Sequence, residues 1–270
     1  MSRIGFARSR SGDRCGKLTG MNTSAYQFPD EFFDYMDRGS RRSAARLVPQ
    51  IAASLRPKSV LDVGCGRGVW LAEWKKADVG DCVGVDGDYV DQANLAIPSE
   101  WFIAWDLSQP LSLNRNFDIV QSLEVAQCLE AAHADVFVES LCRHGELIIF
   151  SAAVPGQGGE RHVNEQSIEY WVKKFLSRGY FAFDWIRPLV SGRSEVEPWY
   201  RYNSLLFATD RAARELSPDI QKTRIPTGTP IAEVAPVSWR VRNATLRCLP
   251  QSFVHQLALV KHQLVNLVGR

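Results

Sequence analysis

The sequence predicts an α/β protein built on a doubly wound, mostly parallel sheet, and three observations predict it. The apolar run Val60-Leu61-Asp62-Val63 breaks into Gly64-Cys65-Gly66-Arg67-Gly68 and continues as a helical segment to about Ala77. Strand-like and helix-like stretches then alternate through residue 150, the pattern of repeated βα units. Two further apolar runs, 82–86 and 102–106, end in a carboxylate, at the edge where open sheets of this kind place their ligands.

The elements follow in order. Residues 1–20 are rich in Ser, Arg and Gly, show no period and read as a disordered tail. Residues 30–38 read as a short cap helix carrying Phe32, Phe33, Tyr35 and Met36. Residues 40–55 form a second helix with Ala44, Ala45, Leu47, Val48, Ile51 and Leu55 as its apolar stripe, and Pro57 ends it. After the glycine turn, strands are expected at 82–86, 102–107, 117–124 and 147–151. The stretch 152–162, with Gly156, Gly158 and Gly159, reads as a mobile loop, and 165–177 as a helix with Trp171 and Phe175 inward. Residues 181–186 and 202–208 read as two last strands, with an insert near Glu197-Pro198-Trp199-Tyr200 placed to overhang a site. Residues 211–238 carry four prolines and read as an irregular linker. In the tail, Phe253, Leu257, Val260, Leu264 and Leu267 recur at helical spacing. That seam suits a homodimer contact, a membrane-surface helix or packing on the chain's own domain. The expected division is a tail over 1–20, a catalytic domain over 21–210 and an extension over 211–270.

A chain of 270 residues holds one large domain with appendages. No stretch of about 18 apolar residues is present, so no spanning helix is expected. Six cysteines, at 15, 65, 82, 128, 142 and 248, show no metal-binding spacing. Reduced thiols and a cytoplasmic protein are the expectation. The net charge of +2 conceals basic ends, with five basic residues and one acid in 1–20 and nine basic residues and three acids in 211–270. Aromatics do not interleave with these basic residues, so no nucleic-acid partner is expected.

The glycine turn carries the first functional signal. Glycines there allow a sharp turn and a close ligand approach, and the following helix aims its free amides at that ligand. A nucleotide-type cofactor is implied. The dinucleotide fingerprint fails, because its third glycine would fall at Val69. Asp86 ends the next strand, where a carboxylate accepts from ribose hydroxyls.

The order Asp62-x-Gly64-x-Gly66-x-Gly68, then Asp86, Asp106 and the run 117–124 resembles the class I S-adenosylmethionine-dependent methyltransferases. Ser122-Leu123-Glu124-Val125-Ala126-Gln127-Cys128-Leu129 resembles a run in bacterial small-molecule and glycan-associated methyltransferases, and the 151–166 stretch resembles the loop after the fifth strand in a largely uncharacterised bacterial subgroup. The resemblance implies a Rossmann-like seven-stranded sheet whose last two strands form an antiparallel pair. It implies S-adenosyl-L-methionine as cofactor, held by Asp62, Gly64, Cys65, Gly66, Asp86, Gly87, Asp106, Leu107, Ser122 and Leu123. It implies methyl transfer, foremost to the oxygen of a small molecule or sugar. N- or C-methylation and an inactive cofactor-binding regulator remain open. In metal-dependent relatives a Glu-His pair stands where this chain has Gln127-Cys128, so no catalytic metal is expected. His162, at the end of the loop after the fifth strand, is the expected general base, since an imidazole titrates near neutral pH. Glu124, Gln127, Asn164, Trp199 and Tyr200 are the expected acceptor contacts. Asn164 also suits a helix cap, and the two aromatics also suit packing beneath the loop.

Overall fold

The strand predicted first is β1, Ser59–Val63, and the sheet grows outward from it. The computed structural model describes residues 30–250 and 253–260, so the readings for residues 1–20, Leu264 and Leu267 lie outside the described residues. Next come β2 (Asp81–Asp86), β3 (Phe102–Ala104), β4 (Ile119–Leu123), β5 (Leu147–Ser151), β6 (Tyr180–Phe183) and β7 (Leu205–Thr209). They form one seven-stranded sheet in the order β3-β2-β1-β4-β5-β7-β6. β1 to β5 run parallel, while β7 is antiparallel to both β5 and β6. From β1 the chain steps to β2 and β3 on one side, then returns to β4 on the other. That reversal opens a crevice at the carboxyl ends of β1 and β4, the position where such sheets bind ligands.

Both faces of the sheet are covered, which explains the near-continuous apolar runs of its strands. Side chains alternate between two cores. Val60, Ile119, Ile149 and Leu206 pack on one face with Leu47, Leu71 and Trp74. Leu61, Val120, Ile148 and Phe207 pack on the other with Phe137, Leu141, Trp171 and Phe175. The helices that supply these layers are α1 (Asp30–Leu55) and α2 (Val69–Lys76) on the first face, and α3 (Ala134–His144) and α4 (Ile168–Leu176) on the second.

Several boundaries differ from the sequence reading. The two expected N-terminal helices are one, because α1 runs unbroken through Gly39. A Cβ at Gly39 would come within 2.8 Å of the Glu197 side chain, so this glycine admits a neighbour rather than breaking the helix. The third strand stops at Ala104, leaving Trp105 and Asp106 beyond it. The last pair of strands is shorter than expected. Asp184 to Ile186 leave the sheet and α5 (Ile186–Leu189) begins, while Tyr202 and Asn203 belong to α6 (Pro198–Asn203). The expected helix at 165–177 starts only at Ile168, capped by the Ser167 hydroxyl, which accepts from the Tyr170 amide.

The expected linker over 211–238 is also corrected. Its first part forms α7 (Asp210–Glu215) and α8 (Pro218–Gln221), capped by the Thr209 and Ser217 hydroxyls. Ala212, Ala213, Leu216 and Ile220 are buried in the same core as α1. The Ile225 amide then donates to the Ala182 carbonyl. Packing against the sheet's core therefore extends to about residue 225. The chain resumes helical structure in α9 (Val237–Arg247) and again over 253–260. Among the described residues no helix is long and apolar enough to cross a membrane.

Candidate active site

The crevice holds a cavity of about 120 Å³, open to solvent. Its floor is the glycine turn and the ends of β1, β2 and β4; its roof is the first half of α1 together with Tyr200 of α6.

At the end of β1, Asp62 is buried in the cavity wall, and its Oδ2 has no hydrogen-bond partner. Burial pushes its carboxyl up to about 7; Gln121 opposes the shift and the Asp86 charge adds to it. The turn that follows is left-handed at Gly64, with φ +85, and a Cβ there would lie 2.2 Å from the Val125 side chain. Only glycine fits that position. Cys65 is buried, and burial holds its thiol in the neutral form.

At the end of β2, Asp86 is tied tightly. Its Oδ1 accepts from the Gly87 amide at 2.7 Å and the Tyr89 hydroxyl at 2.5 Å, and its Oδ2 from the Gly66 amide at 2.6 Å. A carboxylate offers about four lone-pair positions, so one remains, on Oδ2. Burial raises the Asp86 pKa against the pull of these donors. The Tyr89 ring folds across Gly87 and stacks on Phe33 with centroids 6.4 Å apart.

Arg67 fastens the roof to the turn. Its buried guanidinium donates to Asp34 at 2.8 Å, lies 3.7 Å from Asp37 and covers the Phe33 ring at 5.1 Å. Phe33, Met36, Asp37 and Ser40 face the cavity from α1. Burial, partly offset by Arg67 and Arg41, pushes Asp37 up to about 6. Ser40 Oγ and the Tyr200 hydroxyl lie 2.8 Å apart, joining α1 to α6.

The far wall is built after β4. Glu124 adopts φ +61, a left-handed conformation that costs a non-glycine residue free energy. Its amide donates to the Ser151 carbonyl. Its carboxylate accepts from Gln157 Nε2 at 2.8 Å and from Asn203 Nδ2 at 3.5 Å, and Asn203 Nδ2 also donates to Gln157 Oε1 at 2.8 Å. These contacts hold a carboxylate in the cavity wall. Burial raises its pKa, while the hydrogen bonds and the His162 charge oppose that. Cys128 lines the same wall, its thiol pushed up to about 12 by burial and the Glu124 charge.

The loop after β5 is organised by Glu165. Its carboxylate accepts from the Gly156 and Gly158 amides, each at 2.7 Å, and pairs with His162 Nδ1 at 2.8 Å. Burial opposes but does not outweigh these partners, and the Glu165 pKa is lowered. Outside the loop lies α9, where Arg242 donates to the Gln157 carbonyl at 2.8 Å.

Of the residues singled out in the sequence, Asp62, Gly64, Cys65, Gly66, Asp86, Leu123, Glu124 and Tyr200 line this cavity. Gly87 stands beside it as a donor to Asp86. The others sit elsewhere. Asp106 is exposed, and its carboxylate accepts from the amide and hydroxyl of Ser108. Leu107 and Ser122 are buried, Leu107 in the core against α3. Gln127 is a brace for the loop, its side chain accepting from the Ala153 amide and its carbonyl from the Val163 and Asn164 amides. Asn164 is buried and accepts from Gln166. Trp199 packs edge-on against Tyr200 at 6.1 Å. His162 lies outside the cavity lining, paired with Glu165. Sequence reasoning missed Asp37, Ser40, Tyr89, Gln157 and Asn203. Gln157 and Asn203 sit in stretches that had looked family-like, but nothing in the sequence pairs them with Glu124.

The comparisons with known proteins agree with this geometry. Residues 36–138 match the family described as a methyltransferase domain, a span from α1 through the glycine turn into α3. The fold is shared with the sugar N-methyltransferase of a Streptoalloteichus species, at 16% identity and TM-score 0.54, over 73% of this chain and 99% of that one. It is shared too with an O-methyltransferase family protein from Burkholderia thailandensis, at 15% identity and TM-score 0.52, over 67% of this chain and 59% of that one. No curated protein matches the sequence.

The sheet order and glycine turn are those of the class I S-adenosylmethionine-dependent methyltransferases, and the match over residues 36–138 identifies a methyltransferase domain in this chain. Its methyltransferase domain is the one whose family match begins at Met36, in the helix that roofs the cavity. The site also suits the cofactor on its own evidence. Asp62 Oδ2 is a buried acceptor without a donor, matched to an ammonium group, and Asp86 Oδ2 keeps one position for a ribose hydroxyl.

Proposed function

We propose that this enzyme methylates a hydroxyl group of a small polar acceptor, a sugar foremost, and that Glu124 receives the hydroxyl proton. The observation that carries this reading is the Glu124 carboxylate, fixed in the cavity wall by Gln157 and Asn203. Bound S-adenosylmethionine supplies a methyl group on a sulfonium, an electrophile that needs alignment more than activation. Asp62 accepts from the ammonium of its methionine part, and Asp86 from its ribose. The chain's remaining task is to orient an acceptor oxygen and remove its proton. A general base at that point contributes about 10²–10⁴-fold. Glu124 is placed for it by a backbone conformation that the fold enforces, and burial raises its basicity.

His162 is the second candidate. Glu165 orients its ring in the way a carboxylate orients a catalytic imidazole, though the ring lies outside the cavity lining. The two candidates separate by mutation. Glu124→Gln keeps the shape and lowers the rate of methyl transfer by about 10²–10⁴-fold, with affinity for S-adenosylhomocysteine within about twofold of wild type. His162→Ala lowers the rate by less than about tenfold. The reverse pattern moves the base to His162. Full activity in both variants favours methylation of a neutral amine, which dispenses with a strong base. The acceptor is expected to be a cytoplasmic small molecule or glycan precursor.

A further inference from the structure

Among the described residues, the last segment presents an exposed apolar face. On α9, Trp239, Arg242, Asn243 and Leu246 turn inward: Trp239 packs on Tyr202 at 6.0 Å, Arg242 bonds the Gln157 carbonyl, and Asn243 and Leu246 lie against Gly156 and Gly158. The opposite side exposes Val237, Val241, Ala244 and Cys248 at spacings of four, three and four, with Arg240 on its flank and Arg247 exposed at the edge where its stem meets the Gly156 loop. The 253–260 stretch repeats the pattern, exposing Phe253, Leu257 and Val260 at spacings of four and three. The large apolar residues of the two stripes are 42–69% exposed. From residue 234 to 270 the sequence has five basic residues and no acid.

We infer that this C-terminal segment docks on an anionic lipid surface. Its exposed face combines apolar side chains with arginines and lacks any carboxylate, the composition of a helix lying in a membrane interface. Each basic residue near an anionic leaflet adds attraction, and the apolar stripes add burial in the acyl boundary. A second copy of the chain fits less well, because pairing these faces brings Arg240 and Arg247 against their own copies with no described carboxylate between them. A nucleic acid would use the charge but leave the valine and leucine side chains in water. α9 bears the lipid-facing stripe on one side and the loop that holds Gln157 on the other, so docking fixes the active site at the bilayer surface. This inference is independent of the nature of the acceptor.

The test is co-sedimentation of the full-length protein with vesicles of phosphatidylcholine alone and with about 30% phosphatidylglycerol. Binding is expected to the anionic vesicles only, to weaken as salt rises, and to fall by more than about tenfold in Val241→Glu/Leu257→Glu and in Arg240→Glu/Arg247→Glu. Thermal unfolding and S-adenosylhomocysteine binding of both variants report that they remain folded. Failure of folded wild-type protein to bind anionic vesicles overturns the proposal, as does equal binding by the variants. Dimerisation in analytical ultracentrifugation that Val241→Glu/Leu257→Glu abolishes, with no vesicle binding, assigns the face to a second copy instead. Retention of an RNA oligomer without vesicle binding assigns it to nucleic acid.

Discussion

Replacing Asp62 with Asn separates binding from stability. Asp62 is buried at the cavity floor with Oδ2 unpartnered, and burial raises its carboxyl from 3.8 to about 7. Keeping it ionised in the folded state therefore costs up to about 4 kcal/mol at pH 8, at 1.36 kcal/mol per pKa unit. The sign follows from the raised pKa. Between about pH 4 and 7 the folded state holds more protons than the unfolded chain, so stability falls as pH rises through that window and levels off above it. Asn carries no charge, so Asp62→Asn raises the melting temperature of the ligand-free protein above pH 7 and flattens its decline with pH. The same change removes the negative charge from a charge-assisted hydrogen bond to the cofactor's ammonium, worth about 1.5–3 kcal/mol. That converts to about 10- to 150-fold weaker binding of S-adenosylhomocysteine. Differential scanning calorimetry and isothermal titration on both proteins read the two effects. Unchanged affinity in a stabilised variant refutes the assignment of Asp62 to the ammonium, and lower stability above pH 7 refutes the argument from burial.

Three further outcomes follow from the same geometry. Affinity for S-adenosylhomocysteine falls as pH drops below about 7, towards tenfold per unit, because protonation removes the Asp62 charge that pairs with the ammonium; titrations between pH 5.5 and 8 measure it. Tyr89→Phe removes one donor from Asp86 and frees a second acceptor position, so cofactor affinity is retained or rises, whereas a Tyr89 required for ribose binding makes it fall. Gly64→Ala destabilises the protein by more than about 2 kcal/mol in chemical denaturation, because the new Cβ meets both a positive φ and the Val125 side chain.

The parallel core of the fold was legible because its strands are buried on both faces and so appear as bare apolar runs. β1, β2, β4 and β5 were located to within about two residues for that reason. The breaks misled. Gly39 read as an interruption and is instead a helical position that admits Glu197. The prolines at 218 and 226 read as a linker, yet Pro218 opens α8 at a position where its missing N–H costs nothing. The cofactor half of the site was legible because one strand, one turn and one strand-end acid lie within 25 residues of Asp62. The acceptor half was not. Glu124, Gln157 and Asn203 are separated by 33 and 46 residues, and only the register of β4, β5 and β7 brings them together. His162 drew attention because imidazoles so often serve as general bases, but Glu165 and the glycine loop hold it away from the cavity lining.

The most direct test of the account is calorimetric titration of S-adenosylhomocysteine into the wild-type protein and into Asp86→Ala. Asp86 closes the glycine turn through Gly66 and offers the remaining acceptor position for the ribose. The account predicts micromolar binding to the wild type and a loss of at least about tenfold in the variant. Folded wild-type protein that takes up no S-adenosylhomocysteine, or a variant that binds it equally well, would contradict the placement of the cofactor in this crevice.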